Sequence, residues 1–549
     1  MDACSRPAGL ASRQQIGRHR GSLVSAVGKV VAIVACVIAM TAMCVVSAQA
    51  DATPRAPRVS GPLTGGVHDR PWAATSFDPG DFGYAEREYL VSGTAHAYGT
   101  SRPDVPFVTR MLVYRPTDPT RFSGNVTVEW TNVTGQIDHP FEFNWLNRQA
   151  FANGDAYVVV SAQQTGACGL LLNGQPMIPV GPYKVPPCTP ISLKGWDPVR
   201  YGSLWVPDDD YAFDIFSQAG STLRNTTGVR PLGGLVPKKL VAIGLSQSAM
   251  MLDKYIIRGA DDAAKVYDGF IVDSEVQGEL PQRYRVPTIH LWSEESGQIG
   301  VPTSGANHRI WSIAGAAHVD GYNVRQTIEL ILNNITAHPR ITRAQYDQSV
   351  AASENYGQQG PGLGLTCAGS SQFQRRYAVD AAVAAMQEWV STGTPAPVAK
   401  PFRYTGFKQA VEDIPFSITV PILAGGGFDA TRLLATPFAL ERDSYGNAIG
   451  GVRLPQIAAP VASYHGSLCS LFGITVPFAP TELSRLYPTH AVYVEKMLAT
   501  TRKSVRERFM TRVDGLDQMR LACASAIPGW GTTPPNRQPK VCRSLHNAL

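Results

Sequence analysis

A chain of 549 residues is long enough to bury a large core and to hold more than one structural unit. With 51 glycines, 41 prolines and 44% hydrophobic residues it has the composition of a turn-rich globular protein. The net charge is +6, but four of those charges fall in residues 1–50, and the +2 that remains excludes a nucleic-acid-binding footprint.

The first 50 residues read as a targeting segment. Arg13, Arg18, Arg20 and Lys29 precede an apolar run from Val30 to Val46, and Ala48-Gln49-Ala50 forms a small-residue cleavage site. A secretory signal peptide over 1–50 is therefore expected, and with it an exported mature protein that keeps no stable membrane span. A retained anchor is the competing reading, against which stand the run's length, near the lower limit for a spanning helix, and the small-residue cleavage site. Removing the signal takes Cys4, Cys36 and Cys44 with it. Cys168, Cys188, Cys367, Cys469, Cys523 and Cys542 remain for an oxidising compartment. Short loops suggest the pairs Cys168–Cys188 and Cys523–Cys542, with Cys367–Cys469 left over. No C-x-x-C spacing or histidine cluster points to a metal, so neither metal nor cofactor is expected.

Residues 51–83, rich in Pro, Gly and Asp, read as an extended lead-in. Tyr84–Tyr98, Phe107–Tyr114, Asn125–Trp130 and Ala156–Ser161 read as strands, with helices near Glu142–Ala152 and over Tyr211–Leu223. Three further apolar strands follow at Asp268–Asp273, Pro287–Trp292 and Arg309–Ile313. Strands alternating with helices over 84–339 imply an α/β fold with a mainly parallel central sheet and helices on both faces. Ligands of such sheets bind outside the carboxyl ends of the strands. From about residue 340 the pattern is less regular. Val379–Thr392 and His490–Val513 look helical, while 395–475 is Gly/Pro-rich, so 340–549 is expected to be a C-terminal extension or a cap over the core.

One stretch carries a chemical signature. Leu240–Ile243 is a short apolar strand, Gly244-Leu245-Ser246-Gln247-Ser248 is a tight turn, and a helical pattern begins at Ala249. A strand turning into a helix around G-x-S-x-small presents its central serine at the positive end of the helix. Ser246 is the candidate nucleophile. A serine hydroxyl needs a base held by an acid. His318, in the small-residue loop after the strand Arg309–Ile313, is the candidate base because it lies downstream at a strand exit. The acid should leave the preceding strand, where Ser293-Glu294-Glu295-Ser296 offers two carboxylates. Glu294 is taken first, with Glu295 as the alternative and Asp273 as the fallback. Two backbone donors should face the developing oxyanion: Gln247, directly after the serine, and Asn132 or Val133 in the loop after Asn125–Trp130. Asn132-Val133-Thr134 also reads as a plain turn or a glycosylation sequon.

The chain resembles the α/β-hydrolase superfamily, and within it an exported, poorly characterised group known as "alpha/beta hydrolase domain" proteins. The residues that carry the resemblance are Val128–Gly135, Tyr157–Gly166, Trp196–Leu204, Ala242–Ala249, Ser293–Ser296, Trp311–Asp320 and Arg442–Pro455. It implies a Ser-acid-His hydrolase with Ser246 and His318 at the nucleophile and base positions. The chain departs from the pattern at Ser296, where relatives tend to carry Asp. The polar groups Asp197, Arg200, Arg442, Asp443 and Asn447 read as pins of long loops rather than as catalysts.

These readings combine into an exported serine hydrolase that cleaves small-molecule or lipid-like carboxylic esters through an acyl-enzyme, without a cofactor. A non-catalytic binding protein on the same scaffold and an acyltransferase of the cell envelope are the alternatives. Oligomeric state is not readable from the sequence.

Overall fold

The computed structural model describes residues 56–549 except 170–177, 181–182, 186–187, 225–227, 276–278, 298–300, 337–338, 354–369, 408–437, 470 and 548. The expected signal segment, residues 51–55 of the lead-in, and Cys367 lie outside the described residues. Residues 56–549 form one compact unit. Among the described residues no helix is long and apolar enough to cross a membrane.

A ten-stranded sheet organises the unit. Its strands are β1 (Arg58–Ser60), β2 (Tyr84–Ala95), β3 (Val105–Pro116), β4 (Asn125–Trp130), β5 (Ala156–Val160), β6 (Lys239–Leu245), β7 (Gly269–Asp273), β8 (Thr288–Trp292), β9 (Ser304–Gly305) and β10 (His308–Ser312). Across the sheet they run β1-β2-β3-β5-β4-β6-β7-β8-β10-β9. β1, β2, β3 and β5 pair antiparallel in succession, and β9 closes the far edge antiparallel to β10. The six strands from β5 to β10 are mutually parallel. Their sequences explain this placement. Ala156–Val160, Gly269–Asp273 and Thr288–Trp292 are buried at every residue. A strand covered on both faces reads as an unbroken apolar run.

The principal helices are α1 (Phe141–Asn153), α2 (Ala212–Thr222), α3 (Gln247–Ile257), α4 (Gly321–Thr336) and α5 (Arg376–Thr392). α1 and α5 pack on one face of the sheet, α2 and α3 on the other, and each face has its own apolar cluster. α1 begins at Phe141 without a side-chain cap of its own. The Glu129 carboxylate, from the end of β4, accepts instead from the amides of Glu142 at 2.9 Å and Phe143 at 3.1 Å. That gives two orphan donors at the start of the helix an acceptor each. Gly154, at φ 75°, stops the helix in the left-handed conformation.

The chain leaves β4 for β5 on one side and returns past β4 to β6 on the other. The reversal puts the exits of β4 and β6 side by side at a topological switch point.

The carboxyl-terminal part is no loose appendage. α5 contributes Ala378, Val379, Ala382, Met386 and Trp389 to the cluster under β6, β7 and β8. The helix expected over His490–Val513 is two helices, His490–Arg506 and Arg512–Ala524, separated by Arg508 at φ 64°. Thr511 caps the second through its side chain.

Disulfides join Cys168 to Cys188 and Cys523 to Cys542. Cys469 is also disulfide-bonded. The segments thought to pin loops do so. Arg200 pairs with Glu88 in the interior, Asp197 accepts from the Arg200 and His68 amides, and Asn447 bonds both carbonyl and amide groups of the 462–464 strand.

Candidate active site

β6 ends at Leu245 and α3 begins at Gln247, which leaves Ser246 alone on the turn at φ 61°, ψ −114°. Positive φ is strained for a serine and persists only where the surroundings over-determine it. Here the Ser246 amide donates to the Asp273 carbonyl at 2.8 Å, and the Ser246 carbonyl accepts from the Met250 amide at 3.0 Å. A Cβ on Gly244 would lie 3.0 Å from the carbonyl carbon of Ser248 and 3.1 Å from its oxygen, so strand and helix meet too closely for a side chain. Ser248 stands where glycine is commoner for a local reason. Its Oγ lies 3.0 Å from both the amide and the carbonyl of Leu245, accepting from one and donating to the other. The hydroxyl closes the turn.

His318 arrives on the loop leaving β10, which crosses Gly315 at φ 82°. Its ring is buried, with Nδ1 2.9 Å from Glu295 Oε1. This corrects the expected order of the acids, because Glu294 points elsewhere. Its carboxylate accepts from the amides of Gly315 and Gly466, both at 2.9 Å, and from Arg442 at 2.8 Å. Ser293–Ser296 forms a turn in which the Ser296 amide donates to the Ser293 carbonyl at 3.3 Å, and the two carboxylates leave it in different directions. Glu295 therefore faces the histidine while Glu294 ties the histidine's loop to the carboxyl-terminal segment. Glu295 is itself held. Ser293 Oγ donates to Glu295 Oε1 and lies 2.8 Å from Ser274 Oγ.

Asp273, the fallback acid, is paired with another group. Its carboxylate forms a fully buried ion pair with Arg375. Burial raises the Asp273 pKa, and Arg375 opposes the rise. Glu142 lies alongside, its pKa pushed well above the carboxylate range by burial first and by Asp273 second. Arg375 also donates to the carbonyls of Ala317 at 2.9 Å and His318 at 2.6 Å, and to Ser274 Oγ at 2.7 Å. One guanidinium thus links the exit of β7, the loop of His318 and, through Ser274 and Ser293, the carboxylate of Glu295.

Of the expected oxyanion donors, Gln247 is the first residue of α3, and its amide has no acceptor within the helix. The Asn132 amide is already used, donating to the His139 carbonyl at 3.0 Å, so Asn132 is corrected from donor to anchor. Its side-chain amide donates to the Leu245 carbonyl at 2.8 Å and ties the β4 loop to the elbow. The Val133 amide donates to Gln247 Oε1 over a long 3.3 Å, directly beside the turn. Gln247 is steadied from behind by Gln163, which also accepts from the Trp130 indole.

The sequence reading missed Arg375 and the Ser274–Ser293 pair. Arg375 and Arg376 stand side by side at the start of an apolar helix and both are buried, and nothing local marks which of them reaches the His318 loop.

An open, mainly parallel sheet with a serine on a strained strand-to-helix turn and a histidine–carboxylate pair at a later strand exit defines an α/β hydrolase. The chain belongs to the alpha/beta hydrolase domain family, whose model matches residues 59–520. Solved structures similar to it include esterase Est22, at 9% identity and TM-score 0.23 over 40% of this chain and 67% of that one. They also include the glucuronoyl esterase from Solibacter usitatus, at 9% identity and TM-score 0.23 over 45% and 69%. A third is a putative dienelactone hydrolase from Klebsiella pneumoniae subsp. pneumoniae MGH 78578, at 9% identity and TM-score 0.19 over 48% and 95%. No curated protein sequence matches the chain.

Proposed function

We propose that the protein is an exported serine hydrolase of carboxylic esters. The observation that carries this reading is the elbow geometry of Ser246 at φ 61° together with the 2.9 Å contact between His318 and Glu295. With Nδ1 engaged by the carboxylate, Nε2 is the nitrogen left to take the serine proton. Ser246 Oγ attacks the ester carbonyl as His318 accepts its proton, and the oxyanion forms against the Gln247 amide. The Val133 amide is the second donor, exchanging its long bond to the Gln247 side chain for the oxyanion. His318 then protonates the departing alcohol and leaves an acyl-Ser246 ester. Water enters, gives a proton to His318 and hydrolyses the acyl group, restoring the serine. Glu295 stays ionised throughout and stabilises the imidazolium. Disulfides in the folded chain fit an oxidising compartment and support export.

Labelling with a fluorophosphonate probe tests this. The protein is expected to label at one serine, and Ser246→Ala to lose both the label and turnover of p-nitrophenyl esters. A folded wild-type protein that takes no label and cleaves no ester refutes it and favours a binding role.

A further inference from the structure

Three ionisable side chains that the proposed reaction does not use meet behind the elbow helix. Asp253 comes from the middle of α3, Glu275 lies two residues past β7, and His290 sits at the centre of β8. Their ligating atoms all lie within 4.8 Å of one another, and none of the three residues is more than 1% exposed. His290 Nε2 is 3.0 Å from Asp253 Oδ1, and the Trp292 indole donates to Glu275 Oε1. Each carboxylate keeps one buried oxygen, Asp253 Oδ2 and Glu275 Oε2, with no hydrogen-bond partner among the described residues. Two carboxyl groups shut away from water beside one imidazole leave two buried oxygens unpartnered. A cation can engage both.

We propose that Asp253, Glu275 and His290 bind one divalent transition-metal ion, zinc first. The histidine is already set up for it. A metal on Nε2 requires the proton on Nδ1, and Nδ1 lies 2.9 Å from His308 Nε2, which can accept that proton's hydrogen bond. A ligating histidine whose other nitrogen donates to a fixed acceptor is the outer-shell arrangement that orients metal sites. His308 is held in turn by stacking on Tyr284, with ring centroids 4.3 Å apart. A surface cavity of about 480 Å³ is lined by both Tyr284 and His308, on the outer side of His290. One nitrogen and two carboxylate oxygens suit zinc, whereas Mg²⁺ and Ca²⁺ prefer oxygen alone. The sequence pointed to no metal because the three ligands come from separate segments without a spacing motif. The ion would brace the elbow helix against the exit of β7 and the middle of β8.

The test does not depend on ester hydrolysis. Chelator-stripped protein is titrated with ZnCl₂ and followed by calorimetry, by metal content after gel filtration, and by thermal unfolding. One zinc per chain is expected to remain, with Tm raised by about 2.5 °C at hundredfold excess over Kd. Asp253→Asn and His290→Gln are each expected to abolish retention. Should either variant fold poorly, Co²⁺ added to the wild-type protein decides the matter, with visible ligand-field absorption at one equivalent expected. Overturning results are wild-type protein that retains no zinc and gives no such absorption, retention unchanged in both variants, or stabilisation by Mg²⁺ or Ca²⁺ and not by zinc.

Discussion

The neighbouring glutamates Glu294 and Glu295 offer a sharp test, because the proposed chemistry assigns them opposite consequences. Glu295→Gln keeps the size of the side chain and removes its charge. The carboxylate it replaces lies 2.9 Å from His318 Nδ1 with only 8% of the residue exposed. Placing the two charge centres about 4 Å apart at an effective dielectric of about 20 gives about 4 kcal/mol of imidazolium stabilisation. That corresponds to about three decades in kcat. An amide can also donate to Nδ1 and so favour the wrong tautomer, which adds to the loss. KM should hold, since the carboxylate need not touch the substrate. Glu294→Gln should leave kcat within a few-fold. It instead leaves Arg442 without its buried carboxylate partner and weakens two charge-assisted bonds to Gly315 and Gly466, costing about 3 kcal/mol of stability. The assays are steady-state hydrolysis of p-nitrophenyl acetate and urea unfolding of both variants. A Glu295→Gln variant that keeps more than a tenth of wild-type kcat, or a folded Glu294→Gln variant that is equally inactive, refutes this assignment of the acids.

Arg375→Lys keeps the charge but loses the fork that reaches Asp273, Ser274 and the His318 carbonyl together. It should lower unfolding free energy by about 3 kcal/mol and lower kcat more than it raises KM, as urea unfolding and steady-state kinetics will report. Gly244→Ala forces a methyl against the Ser248 backbone at 3.0 Å and should cost about 1–3 kcal/mol, with loss of fluorophosphonate labelling. Ser248→Gly, which restores the commoner residue, should retain labelling at a cost of about 1 kcal/mol. His139 is buried and its pKa is pushed down to about 3, whereas its unfolded value is about 6.5. Unfolding between those values takes up a proton, so this contribution is complete above about pH 6.5 and is lost as pH falls towards 3, at about 1.4 kcal/mol per unit. His139→Gln should flatten the acid limb of a stability–pH curve measured by urea unfolding, and an unchanged slope would count against it.

Local pattern carried much of the architecture. Asn125–Trp130 was readable to the residue, and the other parallel strands to within one or two at each end, because strands buried on both faces must be apolar throughout. Ser246 was legible for a related reason. A strand that turns straight into a helix needs small residues two positions either side of the turn, and that demand is written in five consecutive residues. The long-range partners were not legible. Glu294 and Glu295 are adjacent, identical residues in one turn, so nothing local tells their directions apart. Which of them finds His318 therefore depends on what the carboxyl-terminal segment around Arg442 and Gly466 places on the other side. Arg375 and the cluster of Asp253, Glu275 and His290 draw on segments far apart in the chain. Sequence periodicity reports which groups must leave water, whereas the pairing of buried charges is decided only when the sheet brings distant exits together.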